Sequence, residues 1–261
     1  LHHDARRQRQ MCIRDRAGCA SPAQKAADSA PVVTDSGSVQ AYVAEGDVLQ
    51  WYDIPFAKPP VGDLRWRAPE PLDAKSQLIS RRAEPAICPQ LAGSVSGVEG
   101  DAAIGAEDCL YLDVTAPASG TEPLPVMVWI HGGGNTTGHK NTYDFSRFVA
   151  EQKVIVVTIN YRLGPLGWFA HPTLGNGPGT IANFGTLDII AALGWVKSNI
   201  GAFGGDADNV TIFGESAGGH NVFTLLASPL SDGLFHKAIS QSGYCPLYTS
   251  PSPRDHQPSR M

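Results

Sequence analysis

The sequence has no run of about 18 consecutive apolar residues, so no transmembrane helix is expected. It is also poor in charge. Only 17% of the 261 residues are charged and the net charge is -5, so the composition calls for neither a nucleic-acid nor a membrane partner. Cysteine is scarce, at five residues, and no internal repeat is visible. What remains, 42% hydrophobic residues in a chain of this length, suffices for one sizeable α/β core.

The two ends differ from the middle. Arg6, Arg7, Arg9, Arg14 and Arg16 stand against Asp4 and Asp15, and Arg254 and Arg260 against Asp255, so the chain between them is more acidic than the total suggests. Met11 to Arg16 and Leu247 to Asp255 resemble translated sequencing-adapter tails. Residues 1–16 and 245–261 are therefore set aside from fold reasoning. Residues 17–31 are Ser/Ala/Pro-rich and are expected to form a flexible linker, leaving 32–244 as the folded part. Within the linker, Ala17-Gly18-Cys19-Ala20-Ser21 resembles the lipidation site of bacterial lipoprotein precursors, which makes Cys19 a candidate lipid anchor; the other reading is a flexible N-terminus that happens to contain one cysteine. Cys88 and Cys109 could close a loop of about twenty residues, worth about 3 kcal/mol as a disulfide and implying an oxidising compartment. Two buried thiols are the alternative.

Along the folded part, Val39–Val43 and Val48–Trp51 are expected to be short strands. Pro55, Pro59, Pro60, Pro69 and Pro71 exclude helix interior and central strand from Ile54 to Pro71, which predicts an extended surface segment anchored by Trp66 and by ion pairs of Arg65 and Arg67. Ala92–Gly105 is expected to be a loop at the rim of a substrate gorge, and Cys109–Val114 a strand. Leu124–Ile130 and Lys153–Tyr161 are nearly continuous apolar runs, the signature of parallel strands buried on both faces. Between them and the next strand, Ile181, Phe184, Leu187, Ile190, Leu193, Val196 and Ile200 step by three and four. This predicts a helix with Thr180 as N-cap and Gly201 as its stop. Asn209–Phe213, a helix over Ala217–Ala227 and a strand within His236–Gly243 complete an alternating pattern. That pattern predicts a doubly wound, mostly parallel α/β sheet.

Two motifs carry chemistry. Gly214-Glu-Ser216-Ala-Gly218 lies between a strand and a helix, where the two glycines let both elements approach and lift Ser216 clear as a nucleophile. His131-Gly-Gly-Gly134 follows the first long apolar strand. Its backbone N–H groups have no side chain in the way, so Gly133 and Gly134, with Ala217 after the serine, are candidate oxyanion donors.

With Ile54-Pro-Phe-Ala-Lys-Pro-Pro-Val-Gly62, Glu107-Asp-Cys-Leu-Tyr-Leu112, Asn160-Tyr-Arg-Leu-Gly-Pro-Leu-Gly167 and Phe203-Gly-Gly-Asp206, these motifs resemble the type-B carboxylesterase family of α/β-hydrolases over roughly Val39–Gly243. The resemblance implies a serine carboxylic-ester hydrolase of the α/β-hydrolase fold, using an acyl-serine intermediate on small-molecule esters, without metal or cofactor. It implies Ser216 as nucleophile, Glu215 as a carboxylate lining the site beside His131 and Asn135, and a Cys88–Cys109 disulfide; with that disulfide and Cys19, the protein is expected to be exported (periplasmic, extracellular or lipid-anchored), its signal peptide missing from this chain. A non-catalytic adhesion or binding member of the same fold is the rival. Two departures stand out: Asn135 where many relatives carry an aromatic, and Asp53 where glycine is common. The third is larger. The family's acid and histidine lie far downstream of the serine, whereas here only His220 and His236 follow it before residue 245, neither at the family's catalytic position. The chain is therefore expected to be the N-terminal part of an esterase, inactive by itself.

Overall fold

The computed structural model describes residues 25–73, 77–120, 122–171 and 182–243. Cys19, Thr180 and Ile181, and the tails lie outside the described residues.

A seven-stranded sheet organises the molecule. Its strands are β3 (Ala41–Ala44), β4 (Val48–Pro55), β8 (Tyr111–Pro117), β9 (Leu124–Ile130), β10 (Ile155–Ile159), β11 (Gly205–Glu215) and β12 (Lys237–Gln241), in the order β12-β11-β9-β10-β8-β4-β3. The four consecutive strands β12, β11, β9 and β10 are parallel, and β8, β4 and β3 continue antiparallel. The apolar runs explain the parallel part. In β9, Val126, Val128 and Ile130 enter the main core while Trp129 enters a second cluster with Val48, Val156 and Phe213 on the opposite face. Helix α1 (Ser146–Gln152) covers the second cluster through Val149. After the short α2 (Gly164–Gly167), helices α3 (Phe184–Asn199) and α4 (Ala217–Ala227) bring Ile189, Leu193, Val196, Val222 and Leu225 to the main core.

Smaller sheets flank this one. Strands β1 (Val32–Thr34), β2 (Gly37–Val39) and β5 (Leu78–Ile79) form one, so the stretch expected as a single strand at Val39–Val43 is divided at Gln40 between two sheets. The other corrects the expected loop at 92–105. It is a hairpin of β6 (Gln90–Gly93) and β7 (Val98–Ile104), with most of β7 exposed. Its pattern is hidden because no core face imposes alternation; the turn is held by Ser96, whose Oγ accepts from the Gly93 amide at 2.9 Å and donates to the Gly93 carbonyl at 2.8 Å.

Helix α3 also departs from expectation. Its deep face is Ile189, Ala192, Leu193 and Val196, with Leu187 and Ile190 only half-buried. A buried Asp188, paired with Arg162 at 2.7 Å, interrupts the apolar pattern. The helix stops not at Gly201 but through a 3-10 turn, Ile200–Phe203, that ends at Gly204 with φ +82°. In the proline-rich segment Ile54 and Pro55 still belong to β4 and Gly62–Leu64 forms a 3-10 turn, and of the ion pairs expected for Arg65 and Arg67 the structure describes that of Arg65. Pro55 stands at the end of β4, past Trp51 where the pairing with β3 stops, opposite Tyr111 of β8, and its carbonyl accepts from Ser36 Oγ at 2.6 Å. Arg65 binds Glu107 through two contacts of 2.6 Å, and Trp66 Nε1 donates to the Pro165 carbonyl at 2.8 Å.

Cys88 and Cys109 form a disulfide. Replacing both by serine is expected to lower the unfolding free energy by about 3 kcal/mol, measured as a lower urea midpoint with a steeper slope, because the unfolded chain without the cross-link exposes more surface. Among the described residues, no helix is long and apolar enough to cross a membrane.

Candidate active site

Strand β11 ends at Glu215 and α4 begins at Ala217, leaving Ser216 alone at the turn with φ 55° and ψ -119°. A non-glycine residue there costs about 1–3 kcal/mol and persists only where its surroundings enforce it. The enforcement is visible. Ser216 N donates to the Gln241 carbonyl on β12 at 2.9 Å, and the Ser216 carbonyl accepts from His220 N at 3.0 Å. The flanking glycines are required by contact: a Cβ at Gly218 would stand 2.0 Å from the Ile130 carbonyl oxygen, and one at Gly214 would stand 2.5 Å from the Gly218 backbone. Ser216 itself is exposed.

The carboxyl end of β9 reaches the same place. A Cβ at Gly132 would lie 3.2 Å from Ser216 Cβ and 3.1 Å from Glu215 Oε2, so the glycine loop runs directly beside the serine. The orientation of its amides follows from their own carbonyls. The Gly132 oxygen accepts from His131 Nδ1 at 2.8 Å, and because a trans peptide points its C=O and N–H in opposite directions, the Gly133 N–H faces away from that ring. The Gly133 oxygen accepts from Thr136 N and Thr137 N, both at 3.1 Å, so the Gly134 N–H points away from the 136–137 turn. Ala217 supplies the third amide, unpaired at the start of α4 where a helix leaves its first donors open. Among the described residues none of these three amides has a backbone acceptor.

His131 does not line the open site as expected from sequence. It is 1% exposed, stacked on Tyr161 at 4.4 Å, and its Nδ1 proton is committed to Gly132. Burial lowers its pKa to about 4. In the unfolded chain, with an ordinary value of about 6.5, the ring takes up protons that the folded ring refuses. Its contribution to stability is therefore complete above about pH 6.5 and is lost as pH falls towards 4. The expected outcome is that His131→Gln flattens the loss of unfolding free energy across this window, by up to roughly 3 kcal/mol, when urea titrations of the two proteins are compared.

Asn135 is half-buried with φ 57°. Its side-chain oxygen accepts from Asn221 Nδ2 on α4 at 3.0 Å, and its carbonyl accepts from the Gly164 amide. The Tyr161 hydroxyl donates to the His131 carbonyl at 2.6 Å and lies 3.3 Å from Asn135 Oδ1. The glycine loop is thus tied to the serine helix through Asn221 and, through Tyr161, to the segment that follows β10. Tyr161 stands in the Asn160–Gly167 motif, whereas Asn221 carries no sequence signal of its own beyond the polar Asn135 that it meets.

No triad base is provided by His131, His139 or His236. His131 is buried; His139 Nε2 donates to the Ser96 carbonyl while its Nδ1 accepts from Asn141 N; and His236 Nδ1 accepts from Val210 N, five residues back along β11 from Glu215. His220 sits one turn into α4, where its amide closes the first turn on Ser216.

The model of the carboxylesterase family matches residues 29–259. The chain is 48% identical over 214 residues to the para-nitrobenzyl esterase of Bacillus subtilis, covering 81% of this chain and 43% of the relative. It is 46% identical to the fumonisin B1 esterase of Sphingopyxis macrogoltabida, covering 80% and 39%. Among solved structures, a thermophilic pNB esterase superposes with TM-score 0.74 at 45% identity, covering 82% of this chain and 44% of that one. The carboxylesterase Est55 of Geobacillus stearothermophilus gives 0.72 at 40%, covering 81% and 43%. The chain spans less than half the length of these curated relatives.

Proposed function

Because the chain belongs to the carboxylesterase family, we propose that it is the nucleophile-bearing part of a serine carboxylic-ester hydrolase. The observation that carries this reading is Ser216, exposed and held at φ 55° beside a glycine loop whose amides are oriented and open. Ser216 Oγ attacks the ester carbonyl, and negative charge developing on the carbonyl oxygen is met by the N–H groups of Gly133, Gly134 and Ala217. These donors are fixed before the reaction, so no reorganisation is needed when the charge appears. Collapse of the tetrahedral species expels the alcohol and leaves an acyl-serine, which water then hydrolyses. Glu215 contributes negative charge near Gly132. The proton acceptor and its orienting acid come from chain beyond Gly243, and without them Ser216 is a weak nucleophile. Substrates are small carboxylic esters.

Export is part of the same reading. The Cys88–Cys109 disulfide fits an oxidising compartment, and Cys19 is the candidate anchor there. Reading the genomic locus past Tyr244 tests the proposal. An acid followed by a histidine in the same frame is expected; a stop codon directly after the β12 strand would contradict it.

A further inference from the structure

We propose that Gln90 is a positioning residue for the oxyanion loop, acting through the turn that fixes the Gly134 amide. Gln90 lies two residues after the disulfide, at the start of β6, and is 8% exposed. Its amide uses its whole hydrogen-bonding capacity, two donors and two acceptor positions. Nε2 donates to the Cys88 carbonyl at 3.0 Å and to the Gly138 carbonyl at 2.9 Å. Oε1 accepts from Thr137 Oγ1 at 2.6 Å and from Gly138 N at 2.7 Å. One side chain therefore grips both the N–H and the C=O of Gly138.

Thr137 and Gly138 are the parts that back the oxyanion loop. The Thr137 amide binds the Gly133 carbonyl, and that carbonyl sets the direction of the Gly134 N–H. Gly138, at φ +107°, packs so closely that a Cβ there would stand 2.6 Å from His131 Nδ1 and 2.8 Å from the Gly132 oxygen. It thus backs the hydrogen bond that sets the direction of the Gly133 N–H. Gln90 touches no reacting atom, yet both loop amides depend on the turn it holds. Shifting that turn misdirects donors that act on charge present only in the transition state, so the effect falls on kcat rather than on KM.

The inference rests on the hydrolase reading, and the test separates the two. In the full-length protein, active sites are titrated with a fluorophosphonate, and kcat and KM for a short-chain nitrophenyl ester are measured per titrated site. Gln90→Ala is expected to lower kcat about 10- to 100-fold, short of the 10² to 10³ for outright loss of a donor, with KM changed less than about threefold. Gln90→Glu keeps the shape but turns a carboxyl oxygen towards the Cys88 and Gly138 carbonyls. It can donate only while protonated, so the ratio of its kcat to wild type is expected to decline as pH rises. This variant carries the test if Gln90→Ala yields no titratable serine. A Gln90→Ala protein with unchanged kcat, a proportionate rise in KM alone, or a Gln90→Glu ratio flat with pH would overturn the inference while leaving the hydrolase reading intact. A wild-type protein with no titratable serine would overturn the hydrolase reading, and the inference with it.

Discussion

Ser216→Ala is expected to lower kcat of the full-length protein on nitrophenyl esters by about 10⁶, leaving about 10³ to 10⁴ over the uncatalysed rate from the oxyanion donors and binding. The size follows from the covalent role. The acyl group must be transferred to Oγ: Ser216 is the exposed residue between β11 and α4, while the hydroxyl of Ser240 is donated to the Gly219 carbonyl and that of Thr136 lies 3.3 Å from the Gly133 carbonyl. The substitution is structurally mild. Alanine retains Cβ, the bonds that hold the turn are made by the Ser216 backbone, and no hydrogen bond of the fold depends on Oγ among the described residues. Unchanged thermal stability is therefore expected beside the lost activity. A fall in both would assign Ser216 to the scaffold.

Gly133→Ala is expected to give the second largest effect, a loss of about 10² to 10³ in kcat with a smaller change in KM. Two physical reasons converge. Gly133 has φ +95°, which a side chain rarely adopts, and its added Cβ would stand 2.2 Å from the Thr137 carbonyl oxygen. Relief requires the 133–137 turn to open, which breaks the bonds to the Gly133 carbonyl and rotates the Gly134 amide. The same rotation should weaken binding of a trifluoromethyl ketone, whose oxyanion mimics the transition state, in parallel with kcat/KM. Equal losses in ground-state and analogue binding would instead mean that the loop serves only to contact substrate.

The features legible in the sequence are those whose steric demands are local. Gly214 and Gly218 are forced by backbone contacts with Ile130 and with each other, and Gly133 by its own turn, so each leaves a glycine at a fixed offset from the serine or the strand. The continuous apolar strands were equally plain, because β9 and β10 bury both faces. What was hidden depends on residues far apart in the chain. Asn221 meets Asn135 across 86 positions, and Gln90 meets Gly138 across 48. A single polar residue in a strand or helix carries no local mark of such a partner. The β6–β7 hairpin escaped for the opposite reason: standing off the core, it needs no alternation. In α3, the buried Asp188 belongs to an ion pair with Arg162, so a purely apolar stripe was the wrong template.

Asp53 shows how a departure from a family pattern can be read physically. It sits at φ 55°, which suits glycine, and its carboxylate lies 2.9 Å from the buried Lys140 ammonium, which also contacts Asp113 at 2.6 Å. Burial pushes the Asp113 carboxyl up, with the Lys140 ammonium opposing. The side chain thus compensates for backbone strain by helping to pair a buried cation, in the segment that leads out of the oxyanion loop.

The most direct test of the central claim is to treat the full-length protein with a fluorophosphonate and locate the adduct by peptide mass mapping. The account predicts one stoichiometric adduct on Ser216, absent from Ser216→Ala. An adduct on a different residue, or ester hydrolysis that persists in Ser216→Ala, would contradict it.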